Sequence, residues 1–460
     1  MRHLRWVKQQ DFCLRLGLLK AVVAGMHAGG FGRVRERIVK RFADCMFSAA
    51  APALAEAAEA VLGDAPEEPL TQSDALLLTA GCVSWGQPIK KQTAYKAVEW
   101  AQTAGFLASG YRLSERGELW LTLIDQEGAA RFFAGDEGSW NPYRLSVAER
   151  AFLCYHLGES DELLWQLAFD AGDYPVGHVL EARDTYQLTL AGMRKVLDRA
   201  GDRIPLPELP RLRTARDLAG TIAAEIDPNG TEVPVSRKRI PPKRRPGRGQ
   251  VEGKRKTCKN ADHQAIPRFE QLVDLGLMSK HIVPGLTGAA ARKSRAAWRY
   301  EVTHALPALR GVLGEHGLDN PNWIWSKFSA AFAGAAHGGA ISPRQATVIE
   351  SLTLFVEAYD RIHRPVGHTP FEPVALLAAA VGMERGLIVE IKAIHEVMLT
   401  LKSSSSLNDH IAFAAGNDVD RMFVMVKKGF LPAFERIWSQ QHASPADSQS
   451  AATGGPSHHL

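Results

Sequence analysis

From Ser236 to Lys259 the chain reads SRKRIPPKRRPGRGQVEGKRKTCK, and no packed core can be built from it. Eleven Lys and Arg residues stand there against Glu252, interrupted by Pro241, Pro242, Pro246 and three glycines. Such a stretch buries too little apolar surface to offset the entropy of ordering it. Together with the proline-punctuated IPLPELP that begins at Ile204, it marks 204–259 as a basic, Pro/Gly-rich disordered linker, with folded parts expected on either side. The net charge of the 460 residues is +5, but the basic charge is gathered here and in residues 1–41. Residues 132–235 are acidic and residues 260–460 nearly neutral. Basic charge gathered in this way is the footprint of a polyanionic partner. The clusters Arg237-Lys238-Arg239, Lys243-Arg244-Arg245 and Lys254-Arg255-Lys256 are candidate phosphate contacts, adding sequence-independent, salt-sensitive affinity through counterion release.

Membrane, secreted and catalytic classes find little support in the residues. No apolar run reaches the roughly 18 residues a membrane span needs. Arg15 and Lys20 interrupt the apolar N-terminal segment, so a cleaved secretory signal is not expected. Cys13, Cys45, Cys82, Cys154 and Cys258 lie far apart without a CxxC pair, which fits free thiols in a reducing cytoplasm. HExxH, GxSxG and GxxxxGK[ST] are all absent from the sequence, so neither catalysis nor a cofactor is expected. Gly25, Gly29, Gly30 and Gly32 lack the preceding strand and the Gly-Lys-Ser/Thr ending of a phosphate loop, and read as helix punctuation. His363 and His368 flank a Pro-Val-Gly turn with no carboxylate or cysteine at a ligand spacing, so no metal is expected.

The stretch Pro88–Leu121, PIKKQTAYKAVEWAQTAGFLASGYRLSERGELWL, has a distinct grammar. Gly86 and Pro88 make a turn. A helix follows, with Ala94, Val98 and Ala101 on one stripe and Lys90, Lys91, Gln92, Tyr95, Lys96, Glu99 and Gln102 elsewhere. Gly105 stops it where a C′ glycine belongs. Phe106-Leu107 re-enters the core, and Tyr111–Ser114 alternates like a strand. After Leu113 two readings compete: Ser114 caps a helix starting at Glu115, or Glu115–Glu118 is a wing tip leading into the strand LWLTLI. The wing is the expectation.

Counting Thr71–Ala80 as the preceding helix, this stretch resembles the recognition helix and wing of the winged helix-turn-helix superfamily, where TxYxxxxxLxxxGLL followed by YxLTxxG recurs. That resemblance implies a recognition helix whose N-terminal residues, here Lys90, Lys91, Gln92, Thr93, Tyr95 and Lys96, face the major groove or its phosphates. It also implies that Arg112 and Arg116 lie in or beside the wing, near a flanking phosphate or the minor groove. Weaker repeats of the pattern run near 258–305 and 371–428. In the first, IPRFEQLVDLGL is stopped by Gly276 and followed by the strand WRYEVT. In the second, two helices split by Gly386 precede a hairpin turning at Gly416-Asn417-Asp418.

The expected fold is mainly α with small β-wings, as serial winged-helix domains plus helical segments. Residues 1–64 form a basic helical region broken at Gly29-Gly30, its second helix crowded by Arg33, Arg35, Arg37, Lys40 and Arg41. Residues 65–135 form the first winged helix. Residues 140–203 form an acidic helical domain opened by a capping box from Ser146 to Glu149, and 204–259 is the linker. A possible second winged helix spans 260–312. A C-terminal helical domain with a hairpin spans 313–438, with Pro343 at a helix start, and 439–460 is a disordered tail. The function that follows is a cytoplasmic protein that binds double-stranded DNA, with protein partners reached through its helical domains. The alternative is a non-enzymatic winged-helix scaffold within a nucleic-acid-related complex, such as an anti-phage defence or chromosome-organising assembly. Trp100, Trp120, Trp165, Trp323 and Trp325 would serve it as interface anchors.

Overall fold

The computed structural model describes residues 15–28, 91–136, 139–200, 259–282, 298–316, 344–362, 368–403, 407, 409–414 and 422–442. The expected helices at 31–47, Thr71–Ala80 and Pro321–Ala336, the basic linker, Pro343 and the tail lie outside the described residues. The chain divides into two units, Met1–Pro343 and Arg344–Leu460.

In the first unit, helix α1 (Leu16–Ala28) is apolar around its circumference except at Lys20, and Leu16 through Gly25 are all buried. A helix without a polar face belongs inside a core. Around it pack α2 (Lys91–Thr103), α3 (Glu115–Leu121) and α4 (Gln126–Ala134). The C-terminus of α2 turns at Gly105, whose φ of +80° is left-handed, and the Phe106 and Leu107 amides donate to the Ala101 carbonyl. Of the expected strand at Tyr111–Ser114 there remains one bridge between Leu107 and Leu113.

Of the expected strand LWLTLI, Leu119–Leu121 instead completes helix α3 and Thr122–Ile124 forms a turn, because Ser114 caps the helix. The Ser114 hydroxyl accepts from the Gly117 amide at 3.0 Å, and Glu115 and Glu118 occupy the first turn, where carboxylates suit the helix dipole. Leu119, Trp120 and Leu121 are then all buried, with the Trp120 and Phe106 rings 4.8 Å apart. A Cβ on Gly117 would come within 2.2 Å of the Phe106 carbonyl, so this contact requires glycine.

The rest of the unit is α5 (Val147–Ser160), α6 (Glu162–Ala171), β1 (Val179–Leu180), α7 (Ala182–Ala200), α8 (Lys259–Asp274), β2 (Met278–Ile282), β3 (Trp298–Val302) and α9 (Ala305–His316). The Ser146–Glu149 capping box is present at the start of α5. The strands form an antiparallel sheet in the order β1-β3-β2, with Leu180 opposite Tyr300 and Met278 opposite Val302. Helices α6, α7 and α8 pack together. The expected division between a 140–203 domain and a 260–312 domain is therefore absent. One sheet and one set of packed helices span both segments, and the boundary between units falls at Pro343/Arg344. Charge pairing holds them too, for the Arg268 guanidinium reaches Asp161 at 2.8 Å.

The second unit comprises β4 (Arg344–Gln345), α10 (Val348–Ile362), β5 (Thr369–Pro370), α11 (Phe371–Glu384), β6 (Leu387–Ile388), α12 (Ile391–Ser403), β7 (Ile411–Ala414), β8 (Phe423–Val426) and α13 (Phe430–His442). The expected helix start near Pro343 is moved by a strand, since Arg344 and Gln345 pair with Leu387 and Ile388. Helix α10 starts instead from Thr347, whose hydroxyl accepts from the Glu350 amide at 3.2 Å while Glu350 accepts from the Thr347 amide at 2.9 Å. The expected hairpin is present: β7 and β8 pair antiparallel, Ile411 opposite Val426 and Ala414 opposite Phe423. With β5 the sheet order is β5-β8-β7.

Both units thus contain a helix, a two-residue strand, two helices and a hairpin, with the sheet ordered first strand, third strand, second strand. In the first unit the 204–259 segment is inserted between the second of these helices, α7, and the third, α8.

Candidate nucleic-acid interface

The expected recognition helix is α2. Lys91, Gln92, Thr93 and Tyr95 fall in its first turns, and Lys90 lies outside the described residues. Lys96 is half-buried and paired with Glu99 at 2.7 Å, one turn along. Arg112 is exposed, next to Tyr111, whose φ is +56°. Arg116 belongs to a helix rather than a wing, and its guanidinium donates to the Ala104 carbonyl at 3.1 Å. It closes the C-terminal end of α2, where cations suit the dipole, so a phosphate role does not fit it. The linker cations Arg237–Arg239, Lys243–Arg245 and Lys254–Lys256 lie outside the described residues.

The third helices of the two like-ordered arrangements differ in what surrounds them. On α8, Gln264, Arg268, Glu270, Gln271 and Asp274 are all buried, Arg268 at 0 % exposure. The Glu270 carboxylate receives Lys280 Nζ and, at 2.7 Å, the Tyr300 hydroxyl. Burial pushes its pKa up, but Lys280 and Arg15 outweigh that and hold it below the ordinary carboxylate value. Burial in turn lowers Lys280. Asp274 pairs with Arg15 and accepts from the Leu16 amide at 2.7 Å. Its pKa is raised, because burial outweighs these favourable partners. Arg268 also donates to the Gln264 side chain at 2.7 Å.

On α12 a polar face is open to solvent. Lys392, Glu396, Thr400 and Lys402 are exposed, the first three at i, i+4 and i+8 on one face. Lys392 and Glu396 approach to 3.7 Å with both side chains about two-thirds exposed, 64 % and 65 %. The buried side of α12 carries Ile394, His395, Met398 and Leu401. Lys427 and Lys428, exposed at the end of β8, add two cations beside the hairpin. These residues are absent from the sequence-derived candidates. The Lys392–Glu396–Thr400 spacing was their signal, masked by the small net charge of the C-terminal region.

Among the described residues no group of three His, Cys, Asp or Glu side chains is placed to hold a metal ion, and no helix is long and apolar enough to cross a membrane. Comparison with known proteins gives no match to this chain, whether among family models, curated proteins or solved structures.

Proposed function

We propose that the chain is a double-stranded DNA-binding protein built on winged helices, one in each unit, and that the duplex is met through α12 and the adjoining hairpin. The observation that carries this reading is the exposed polar face of α12, in third-helix position, followed in the chain by a two-stranded hairpin ending in Lys427-Lys428. A helix so placed fits the major groove, about 12 Å wide. Lys392, Lys402, Lys427 and Lys428 supply phosphate contacts, which position, while Glu396 and Thr400 are the side chains available to base edges. The basic 204–259 segment adds affinity without sequence preference. The first-turn residues of α2 and Arg112 remain further candidate contacts.

The test is a duplex titration of the full chain across a salt series. Replacing Lys392 and Lys402 with Gln should weaken binding to every sequence and flatten the salt slope by about two units. An unchanged slope removes α12 from the interface.

One observation favours a protein-docking scaffold as the second reading. The third helix of the first unit has its polar side chains engaged by protein. Persistence of a partner complex in high salt, with no duplex affinity, would decide for it.

A further inference from the structure

We infer that α8, the third helix of the first unit, reads protein instead of nucleic acid: its polar side chains are the fixed seat of the Arg15–Leu16 segment and of Asp161, so the duplex is read through α12 and not through α8. The second half of this inference rests on the DNA-binding reading above; the first half does not.

A third helix can enter a groove only with one face free along several turns. Between Gln264 and Asp274, α8 has none. Gln264, Arg268 and Gln271, at i, i+4 and i+7, are turned towards protein, with Arg268 reaching Asp161. On another side Glu270 and Asp274, at i and i+4, are turned towards Arg15 and Lys280. The remaining line of Ala265, Phe269 and Leu272 is apolar core. Half-buried Ile266 and Val273 are the positions between these where solvent has partial access.

The covering groups are not exchangeable for a phosphate. Glu270 and Asp274 are carboxylates, the wrong sign for DNA, and their counter-charges come from the chain itself. Withdrawing the Arg15–Leu16 segment would leave two buried carboxylates short of a partner and the first turn of α1 without its Asp274 cap. Nor is α1 a detachable strap, because Leu16 through Gly25 are buried on all sides. The contact is thus a constitutive part of the fold, not a latch.

The experiment uses the full chain carrying a photo-crosslinking residue at Thr400 or Lys392 on α12, or at Ile266 or Val273 on α8, mixed with a random-sequence duplex. Crosslinks are expected from α12 and not from α8. In parallel, Arg15→Met and Asp274→Asn should lower the unfolding temperature without raising duplex affinity by more than about two-fold; Arg15→Lys serves if the first variant fails to fold. Crosslinks from α8, or a ten-fold gain in affinity on Arg15→Met, would overturn the inference, the latter by making the contact autoinhibitory. Duplex binding with no crosslink from α12 would overturn the assignment of reading to α12. Absence of duplex binding at any salt defeats the DNA-binding reading itself. The seat on α8 is then judged by whether Arg15→Met and Asp274→Asn combine non-additively in unfolding, additivity sinking it.

Discussion

The same local device opens a helix in each unit, with opposite surroundings. At Ser146 the capping-box glutamate, Glu149, is 2 % exposed. It accepts from the Ser146 amide, the Trp120 indole and the Lys20 ammonium together. At Thr347 the corresponding Glu350 faces solvent, bound to Arg344 and its own cap. The third helices repeat this contrast, α8 enclosed and α12 open. The residue pattern sets the element, and the neighbours set whether its polar side becomes mortar or surface. Charge that is enclosed stabilises only while every partner stays, whereas exposed charge remains available to another molecule.

The contrast breaks most severely at Arg268. Arg268→Met leaves Asp161 buried without its cation, and a loss of about 3–5 kcal/mol in the stability of the first unit is expected by denaturant unfolding. Glu396→Gln on α12 should stay within about 0.5 kcal/mol of the parent. Similar costs for the two would erase the distinction between the helices.

Removing the capping glutamates should give an intermediate effect. Glu149→Gln strips buried Lys20 of its counter-charge and should cost more than Glu350→Gln, which loses an exposed cap and ion pair. Equal shifts in unfolding temperature would contradict this.

A smaller effect concerns pH. Hydrogen bonding to Arg344 holds the Glu350 pKa down at about 2, against 4.5 ordinarily. A depressed carboxylate contributes stability that is present above its ordinary value and lost as pH falls from 4.5 towards 2. Since Glu350 is on the surface, the contribution is modest. The parent and Glu350→Gln should converge in stability near pH 2, and a gap that widens on acidification would count against the pairing.

The smallest expected change comes from cutting the chain. A specific protease site placed between Val233 and Lys259 should, once cleaved, leave the two pieces eluting as one species. β1 pairs with β3 across the cut, and α7 packs on α8. Separation of the pieces without denaturant would restore the view of 204–259 as a link between independent domains.

Local signals are legible in the sequence. Ser146 with Glu149, the stops at Gly276 and Gly386, and the hairpin after His410 each depend on residues a few positions apart. LWLTLI is ambiguous in sequence because both of its alternating sets are apolar, so period two and period 3.6 fit alike, and the Ser114 cap decides between them. The enclosure of α8 was not legible. Its polar residues would suit a solvated face, and what covers them comes from Arg15 and Asp161, more than a hundred residues away in sequence. For the same reason the basic segment looked like a boundary, although the helices on either side of it pack together.

The Leu16 amide and the Asp274 carboxylate that caps it are separated by 258 residues. During synthesis, at about 5–20 residues per second, α1 is made well before that partner exists. The most thoroughly apolar helix of the first unit therefore leaves the ribosome without the cap of its first turn, and leans on α2, α3, α4 and, through Lys20, on Arg144 and Glu149 until α8 arrives. The described strand pairings of the second unit join residues within 344–442 and need no such wait. Chaperone dependence, if the cell shows it, should fall on the first unit and end when residues beyond Val302 have emerged.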